Sequence, residues 1–446
     1  MGRGGRSAAA FAAKDRLVLG EHVLETSPLK SSSTEELRQH AKDRGLKSNG
    51  TRDDLLIVLH PFSKGIAHRY PAPKPLPLER PPFKFSDLQK VVPRHCFKRN
   101  LAVSATHLAT DLVMVATFGY LATFIGNGAL PAWAGWLLWP LYWFVQGTQM
   151  TGVWVLAHEC GHQSFSESKT INNLVGLVCH SALLVPYHSW RITHAKHHGN
   201  TGSCTNDEVF CPKVRTANGK SPTAEEDIAE LVHEAPLVQM FWIVFMLTLG
   251  WMPGYLLFNA TGPSKYSGFS KSHFNPWAKA RNASLSKRDR LDIVTSDLGF
   301  FAALAAICYA IYSLGFETVG KFYLLPYMVT NAYLVLITYL QHTDVFMPHF
   351  RGSEWDWFRG ALCTVDRSFG PVIDHVIHHI ADTHVCHHLF SKMPFYHAQE
   401  ATEHIRAFLG DYHLSDSTPI PKALWRSFGC CLHVENEGHT VFYQAH

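Results

Sequence analysis

No charge of one sign dominates this sequence. Forty Lys and Arg stand against 36 Asp and Glu over 446 residues, a formal +4, too slight a bias to indicate nucleic-acid binding by itself. The ten cysteines lack the paired spacing of a small disulfide scaffold. They read as reduced, facing a cytosol or buried in a membrane. The first residues, MGRGGRSAAAFAAKDR, lack the apolar core of a signal peptide and carry Arg6 where a myristoylation site requires Ser or Thr. Their Ala and Arg content is only a weak match to an organelle transit peptide. Long apolar runs are missing from the first hundred residues and abundant after them. The residue in excess is histidine, at 29.

Length alone suggests about three domains, but the apolar blocks argue for one membrane-embedded body (84–415) with a polar extension before it and a tail after it (416–446). Residues 1–30 are expected to be disordered. Residues 31–62 hold two short amphipathic patterns split by GLKSNGT, with Ser33 or Thr34 as N-cap. This hairpin loosely resembles the SAP motif, a nucleic-acid-binding unit; a solvated accessory hairpin is the favoured reading, and no nucleic-acid partner is expected. Residues 63–83, ending in YPAPKPLPLERPPF, form a proline-rich extended linker.

Residues 101–125 and 131–157 are each long enough to cross a hydrocarbon core, which takes about 20 helical residues, and the short turn GNGAL makes them a hairpin. A second pair, 294–314 and 321–341, is joined by GFETVG. Residues 171–187 are short, and 235–258 are interrupted by Gly250, Pro253 and Gly254, so both are ambiguous between spanning and re-entrant or interfacial. If only the two hairpins span, the N-terminus, the loop from 158 to 293 and the region after 341 share one face. The two turns carry no Lys or Arg, whereas residues 259–293 carry seven, which puts the shared face in the cytosol. The expected fold is therefore an all-α integral membrane protein: four transmembrane helices in two hairpins, re-entrant or interfacial helices, and a cytosolic histidine-rich cap.

Three histidine clusters follow apolar segments: HECGH (His158, His162), HAKHH (His194, His197, His198) and HVCHH (His384, His387, His388). Positions i, i+3 and i+4 share one helix face, so each cluster can aim its imidazoles at a common point. Eight ligands exceed what one tetrahedral zinc can use and imply two metals. HECGH superficially matches the zinc-protease HExxH pattern, but that reading leaves six of the eight histidines without a role. Isolated histidines such as His180, His188 and His397 read as structural.

Together with LVPYHSWRITHAKHHGNTGS, DEVFCPK, TYLQHT, EWDWFRGAL, TVDR and DTHVCHHLFSKMPFYHAQEAT, these boxes resemble the membrane fatty acyl desaturases over about residues 80–415, most closely the endoplasmic-reticulum Δ12 (oleate) type. The resemblance implies a non-haem di-iron centre that uses O2 to remove hydrogen from two adjacent methylenes of an acyl chain. An all-imidazole shell suits such chemistry, because softer thiolate ligands would themselves be attacked. Carried over box by box, the ligands are the eight histidines above. A ninth is implied at His342 in YLQHTD, with His378 the alternative. Glu159, Asp207 and Asp382 stand beside the ligands as candidate acceptors for imidazole N–H groups. Asp occupies position 344, where plant relatives tend to carry His, which argues against that position as a ligand.

The chain has neither a haem domain of the cytochrome b5 kind nor a dinucleotide-binding glycine turn. The resemblance therefore implies cytochrome b5 and its NADH-dependent reductase as partners, an acyl-lipid substrate such as phosphatidylcholine-bound oleate, and an endoplasmic reticulum membrane, with a plastid membrane and ferredoxin as the alternative. Within the same scaffold, ω3 (Δ15) or bifunctional desaturation, hydroxylation and acetylenation compete with Δ12 desaturation. A histidine-rich membrane metal carrier is the competitor from another class, and it would need ligands along its spans rather than at their ends.

Overall fold

A computed structural model of the chain describes residues 31–43, 52, 55, 56, 59, 76, 77, 79–127, 131–214, 235–260, 268–277, 285–436 and 438–443. The start expected to be disordered, most of the proline-rich linker and Asn282 lie outside them. Helix α1 (Thr34–Asp43) opens on a reciprocal cap: the Glu36 N–H donates to Ser33 Oγ at 3.3 Å, and the Ser33 N–H donates to Glu36 Oε2 at 2.7 Å. Leu37 of α1 joins Leu55, Leu56 and Leu59 in the same buried cluster as Leu88 of α2 (Phe85–Val91), Phe346 and Val385. These four leucines are packed against the main body; the turn and most of the second half of the expected hairpin lie outside the described residues.

Helices α3 (Leu101–Ala122) and α4 (Ala134–His162) form the first hairpin. Gln149 Nε2 donates to Asp111 Oδ1 at 2.8 Å and Gln146 Nε2 to Val115 O at 3.2 Å, a pairing that runs antiparallel. Helices α5 (Lys169–Ala182) and α6 (Tyr187–Asn200) follow, bent against each other by 107°. They pack face to face where the Tyr187 ring lies over Gly176, so closely that a Cβ there would come within 2.2 Å of it. After α7 (Pro236–Leu249), α8 (Lys287–Leu314) and α9 (Phe316–Leu340) make the second hairpin through Gly315, whose φ of +84° suits glycine. α4 and α9 run parallel through the centre: Tyr142 Oη donates to Phe322 O at 3.4 Å, and Thr330 Oγ1 to Gly147 O at 3.0 Å. Both therefore end at the same end of the bundle.

Among the described residues, the single helices long and apolar enough to cross a membrane are α3, Pro236–Phe258, α8 and α9. Their number agrees with the sequence reading, but the membership differs. At 29 residues α4 is longer than any of these, yet it is not among them, because the polar side chains of Gln146, Thr148, Gln149, Thr151, His158 and Glu159, all buried, lower its mean hydropathy. Pro236–Phe258 is apolar enough to be among them, and its contacts run from the cap back to α6. Gln239 Nε2 donates to Trp425 O at 2.7 Å, and Ile243 packs with Leu340 at the end of α9. Gly250 reaches Val335, Met252 leaves helical geometry (φ −123°, ψ 115°), and the Tyr255 hydroxyl then lies 3.3 Å from Thr193 Oγ1, beside His194. Both ends of this segment sit at the histidine end.

That end is covered by α10 (His384–Leu389), α11 (Ala398–Leu409) and α12 (Ile420–Cys430), with β1 (Pro348–Phe350) paired antiparallel to β2 (Thr440–Phe442). Of the stretch set apart as a tail, the described residues 416–436 and 438–443 are built into this cap. Asp344 and Asp416 are buried with Arg367 and Arg426: Arg426 Nη2 donates to Asp344 Oδ2 at 2.6 Å and to Asp416 Oδ2 at 2.7 Å, Arg367 Nε donates to Asp416 Oδ2 at 3.0 Å, and Arg367 also bonds Asp344. Two acids and two bases balance one another, which is the condition for tolerating buried charge.

Candidate metal centre

Each histidine cluster is presented by a helix end. α4 stops one residue after His162, where Gln163 takes the left-handed conformation (φ +62°) and the Ser164 N–H closes the turn on Glu159 O at 3.0 Å. α6 starts at Tyr187 behind Pro186 and carries His194, His197 and His198 in its last two turns. α10 is one and a half turns long, and Asp366 Oδ1 accepts from its Val385 N–H at 2.8 Å. Trp154 stacks on His158 and Trp190 on His194, with centroids 5.5 and 4.5 Å apart, so aromatic walls fix two of the rings.

The imidazoles sort into two groups. His158, His162, His194, His198 and His387 bring one ring nitrogen each within 4.8 Å of all the others, and so do His197, His342 and His388. His384 joins the second group, with its Nε2 3.0 Å from His342 Nε2. Within the first group, Nε2–Nε2 separations are 2.9 Å (His158 to His194), 3.2 Å (His158 to His162), 3.1 Å (His194 to His198) and 3.2 Å (His198 to His387). His197 and His342 are 3.2 Å apart. Metal–imidazole bonds of about 2.1 Å set at right angles place their nitrogens about 3.0 Å apart, so these spacings are those of ligands around a shared ion. His388 Nε2 is buried without a hydrogen-bond partner, as a ligand nitrogen would be. Neither group contains a cysteine.

Burial, and then the neighbouring imidazoles, push His194, His198, His342, His387 and His388 well below the usual histidine range, and burial brings His384 down to about 3. These rings are therefore neutral at physiological pH, the form that binds metal.

The backs of the rings are held as well. Asp207 Oδ2 accepts from His197 Nδ1 at 2.9 Å, and Glu159 Oε1 lies 3.1 Å from His158 Nδ1, as the sequence suggested. Asp382 differs: it pairs with Nδ1 of His379 at 2.9 Å, and His379 belongs to neither group. The third box is instead oriented by main chain and hydroxyl, Ile380 O at 3.1 Å from His384 Nδ1 and Thr201 Oγ1 at 3.2 Å from His388 Nδ1. His342 is the ninth member, because His378 turns its Nε2 to Asp111 Oδ2 at 2.7 Å, away from both groups. Asp344 is committed to Arg426 and Arg367. Neither the Ile380 carbonyl nor Thr201 carries a mark in the sequence, since any residue offers a carbonyl and threonine is common.

A cavity of about 630 Å3 runs from these rings into the bundle. His158, His194, His197, His342 and His384 stand at one side of it, and Trp154, Phe210, Leu249 and Val335 are among its apolar walls. An aliphatic chain lying there would pass both imidazole groups.

Residues 131–419 match the family model described as fatty acid desaturase. A Δ(12) fatty acid desaturase of Mortierella isabellina is 48% identical over 82% of this chain and 91% of its own length. A Δ(12)-acyl-lipid-desaturase of Punica granatum is 45% identical over 81% and 89%. An endoplasmic reticulum omega-6 fatty acid desaturase of Brassica juncea is 44% identical over 81% and 90%. With three histidine boxes folded into two convergent groups beside an apolar cavity, and with these matches covering the same residues, the chain belongs to the fatty acid desaturase family.

Proposed function

We infer that the protein is a Δ12 fatty acyl desaturase, which converts oleoyl to linoleoyl chains with O2 and externally supplied electrons. The observation that carries this reading is the pair of imidazole groups, with Nε2 separations of 2.9–3.2 Å, at the wall of an apolar cavity. The names of the relatives select Δ12 among the reactions open to the scaffold.

Two irons are the proposed cofactors, one held by His158, His162, His194, His198 and His387, the other by His197, His342, His384 and His388. Bound iron supplies the redox chemistry that activates O2 for removal of two hydrogens from the acyl chain; two electrons and two protons from outside complete the reduction to two waters. The residues of the chain do the rest. Asp207 and Glu159 hold His197 and His158 in place through their Nδ1 atoms, and Trp154, Trp190 and Phe210 exclude water and align the aliphatic substrate. Electrons come from cytochrome b5 and its NADH-dependent reductase, and the substrate is an acyl lipid such as phosphatidylcholine-bound oleate.

The protein resides in the endoplasmic reticulum membrane. α3, α4, α8 and α9 cross it, α5–α6 and residues 236–258 dip in and return, and the cap faces the cytosol. Residues 84–415 act as the desaturase body, with 31–62 as an accessory hairpin. The shared end of α4 and α9 and the return of Tyr255 to Thr193 support this arrangement. The sequons at Asn259 and Asn282 are then on the cytosolic side, and an endoglycosidase-sensitive shift lost in Asn282→Gln would overturn it.

Expression in a yeast that makes oleate but no linoleate tests the reaction. Linoleate appearing from endogenous oleate is the expected outcome; α-linolenate formed only on feeding linoleate would assign the enzyme to the ω3 class instead.

A further inference from the structure

A third convergence of ligand-type side chains lies outside the two imidazole groups. The short 3-10 turn Arg94–Phe97, just ahead of α3, carries His95 and Cys96; His397 is the residue before α11, and Glu400 stands in the first turn of that helix. One donor atom from each of the four lies within 4.8 Å of all the others. His95 Nε2 is 2.9 Å from Glu400 Oε2, His397 Nδ1 is 4.0 Å from the same oxygen, and the two rings meet edge-on with centroids 5.4 Å apart. Cys96 is fully buried beneath them. We propose that these four side chains form a zinc-class divalent cation site, with the Cys96 thiolate, the His95 and His397 imidazoles and the Glu400 carboxylate as ligands.

The donor set separates this cluster from the other two. Those are imidazole throughout, suited to a redox metal beside a strong oxidant; this one mixes sulfur, nitrogen and oxygen, the set that binds zinc in tetrahedral sites and gives magnesium or calcium little. One thiolate and one carboxylate neutralise a doubly positive ion. Bonds of about 2.0 Å to nitrogen and oxygen and about 2.3 Å to sulfur set tetrahedral ligand separations near 3.4 Å, so a pair at the 4.8 Å limit must close by about 1.4 Å. The His95 and Glu400 side chains, 54% and 43% exposed, have the freedom to do so and leave a route for the ion from solvent. Without an ion, the exposed His95–Glu400 pair is a weak surface contact, and nothing in such a pair calls for a second imidazole. With one, the segment entering α3 is stapled to the helix that follows the third histidine box. The sequence reading took His397 as an isolated structural histidine; its partners His95 and Cys96 are some 300 positions away, beyond the reach of any local motif.

The test is the metal content of the full chain, purified in detergent from cells supplied with iron and zinc. The expected result is about one zinc per chain beyond the iron. Cys96→Ser and His95→Gln should lose that zinc with iron unchanged, and His194→Ala should lose iron with the zinc retained. Cobalt(II) offered to zinc-stripped protein should give a thiolate-to-cobalt absorption band that Cys96→Ser lacks. Zinc content equal in wild type and both variants, or neither zinc nor a cobalt–thiolate band in the wild type, would overturn the site. Should Cys96→Ser fail to fold, His95→Gln carries the test, because its side chain is half exposed and outside the packed core.

Discussion

The two arms of each hairpin are built on opposite plans. α3 and α8 turn most of their surface outward: Val113 and Tyr120 on α3 and Leu298 and Tyr312 on α8 are 62%, 64%, 69% and 87% exposed. They end in no ligand. α4 and α9 run side by side through the middle, touch at Gly147, and deliver His158, His162 and His342. The difference teaches that apolarity marks contact with lipid, whereas position in the bundle is marked by small and polar residues that let helices close on each other. It also explains how the longest helix of the bundle escapes a test based on hydropathy.

The contrast is broken most severely at the tips of the inner arms. His342→Ala and His387→Ala, one from each imidazole group, should each reduce linoleate in yeast to below detection while the protein still inserts; retention of most activity in either would remove that residue from the centre. His378→Ala, the sequence alternative, should keep its iron and lose only about 1–3 kcal/mol of stability through the lost partner of Asp111 Oδ2, read from iron content and detergent melting. Next come the carboxylates behind the rings. Asp207→Asn and Glu159→Gln should lower iron affinity or turnover by about 10–100-fold, and an unchanged iron content together with unchanged turnover would strip them of that role.

A matched glycine pair sharpens the comparison further. A Cβ at Gly147 would come within 2.5 Å of Pro326 O, whereas one at Gly119 on α3 meets nothing within 4 Å. Gly147→Val should therefore cost about 1–3 kcal/mol and lower the melting temperature, while Gly119→Val should stay within about 0.5 kcal/mol. Equal effects would mean that α4 and α9 are not in intimate contact. The smallest effect belongs to Leu298→Ala and Tyr312→Ala, where melting and product yield should match wild type.

The histidine boxes were legible in the sequence because their spacing is local: i, i+3 and i+4 fall on one face of one helix. The antiparallel neighbourhood of α3 and α4 was legible for a related reason, since a short turn between two long helical stretches favours it. His342 over His378 was open at the level of residues, and what decides it is a partner 267 positions from His378, the buried Asp111. Asp382 was misjudged because neighbourhood in sequence says little about the direction of a side chain at a helix start. Residues 235–258 were ambiguous because composition reports the solvent a segment prefers and not where its two ends are tied, and the contacts of Gln239 with α12 and of Tyr255 with α6 lie outside any local pattern.

The buried quartet of Asp344, Arg367, Asp416 and Arg426 bears on the order of events at the ribosome. Asp344 follows His342 by two residues, and one of the two guanidiniums that neutralise it is Arg426, 82 residues further along the chain. Until that arginine emerges, the loop bearing His342 carries an acid with half its compensation, and the second imidazole group has no settled geometry to offer. The helices can enter the bilayer as they are made, but maturation of the centre waits for Arg426, so arrested nascent chains that stop before residue 416 should be membrane-inserted and metal-poor.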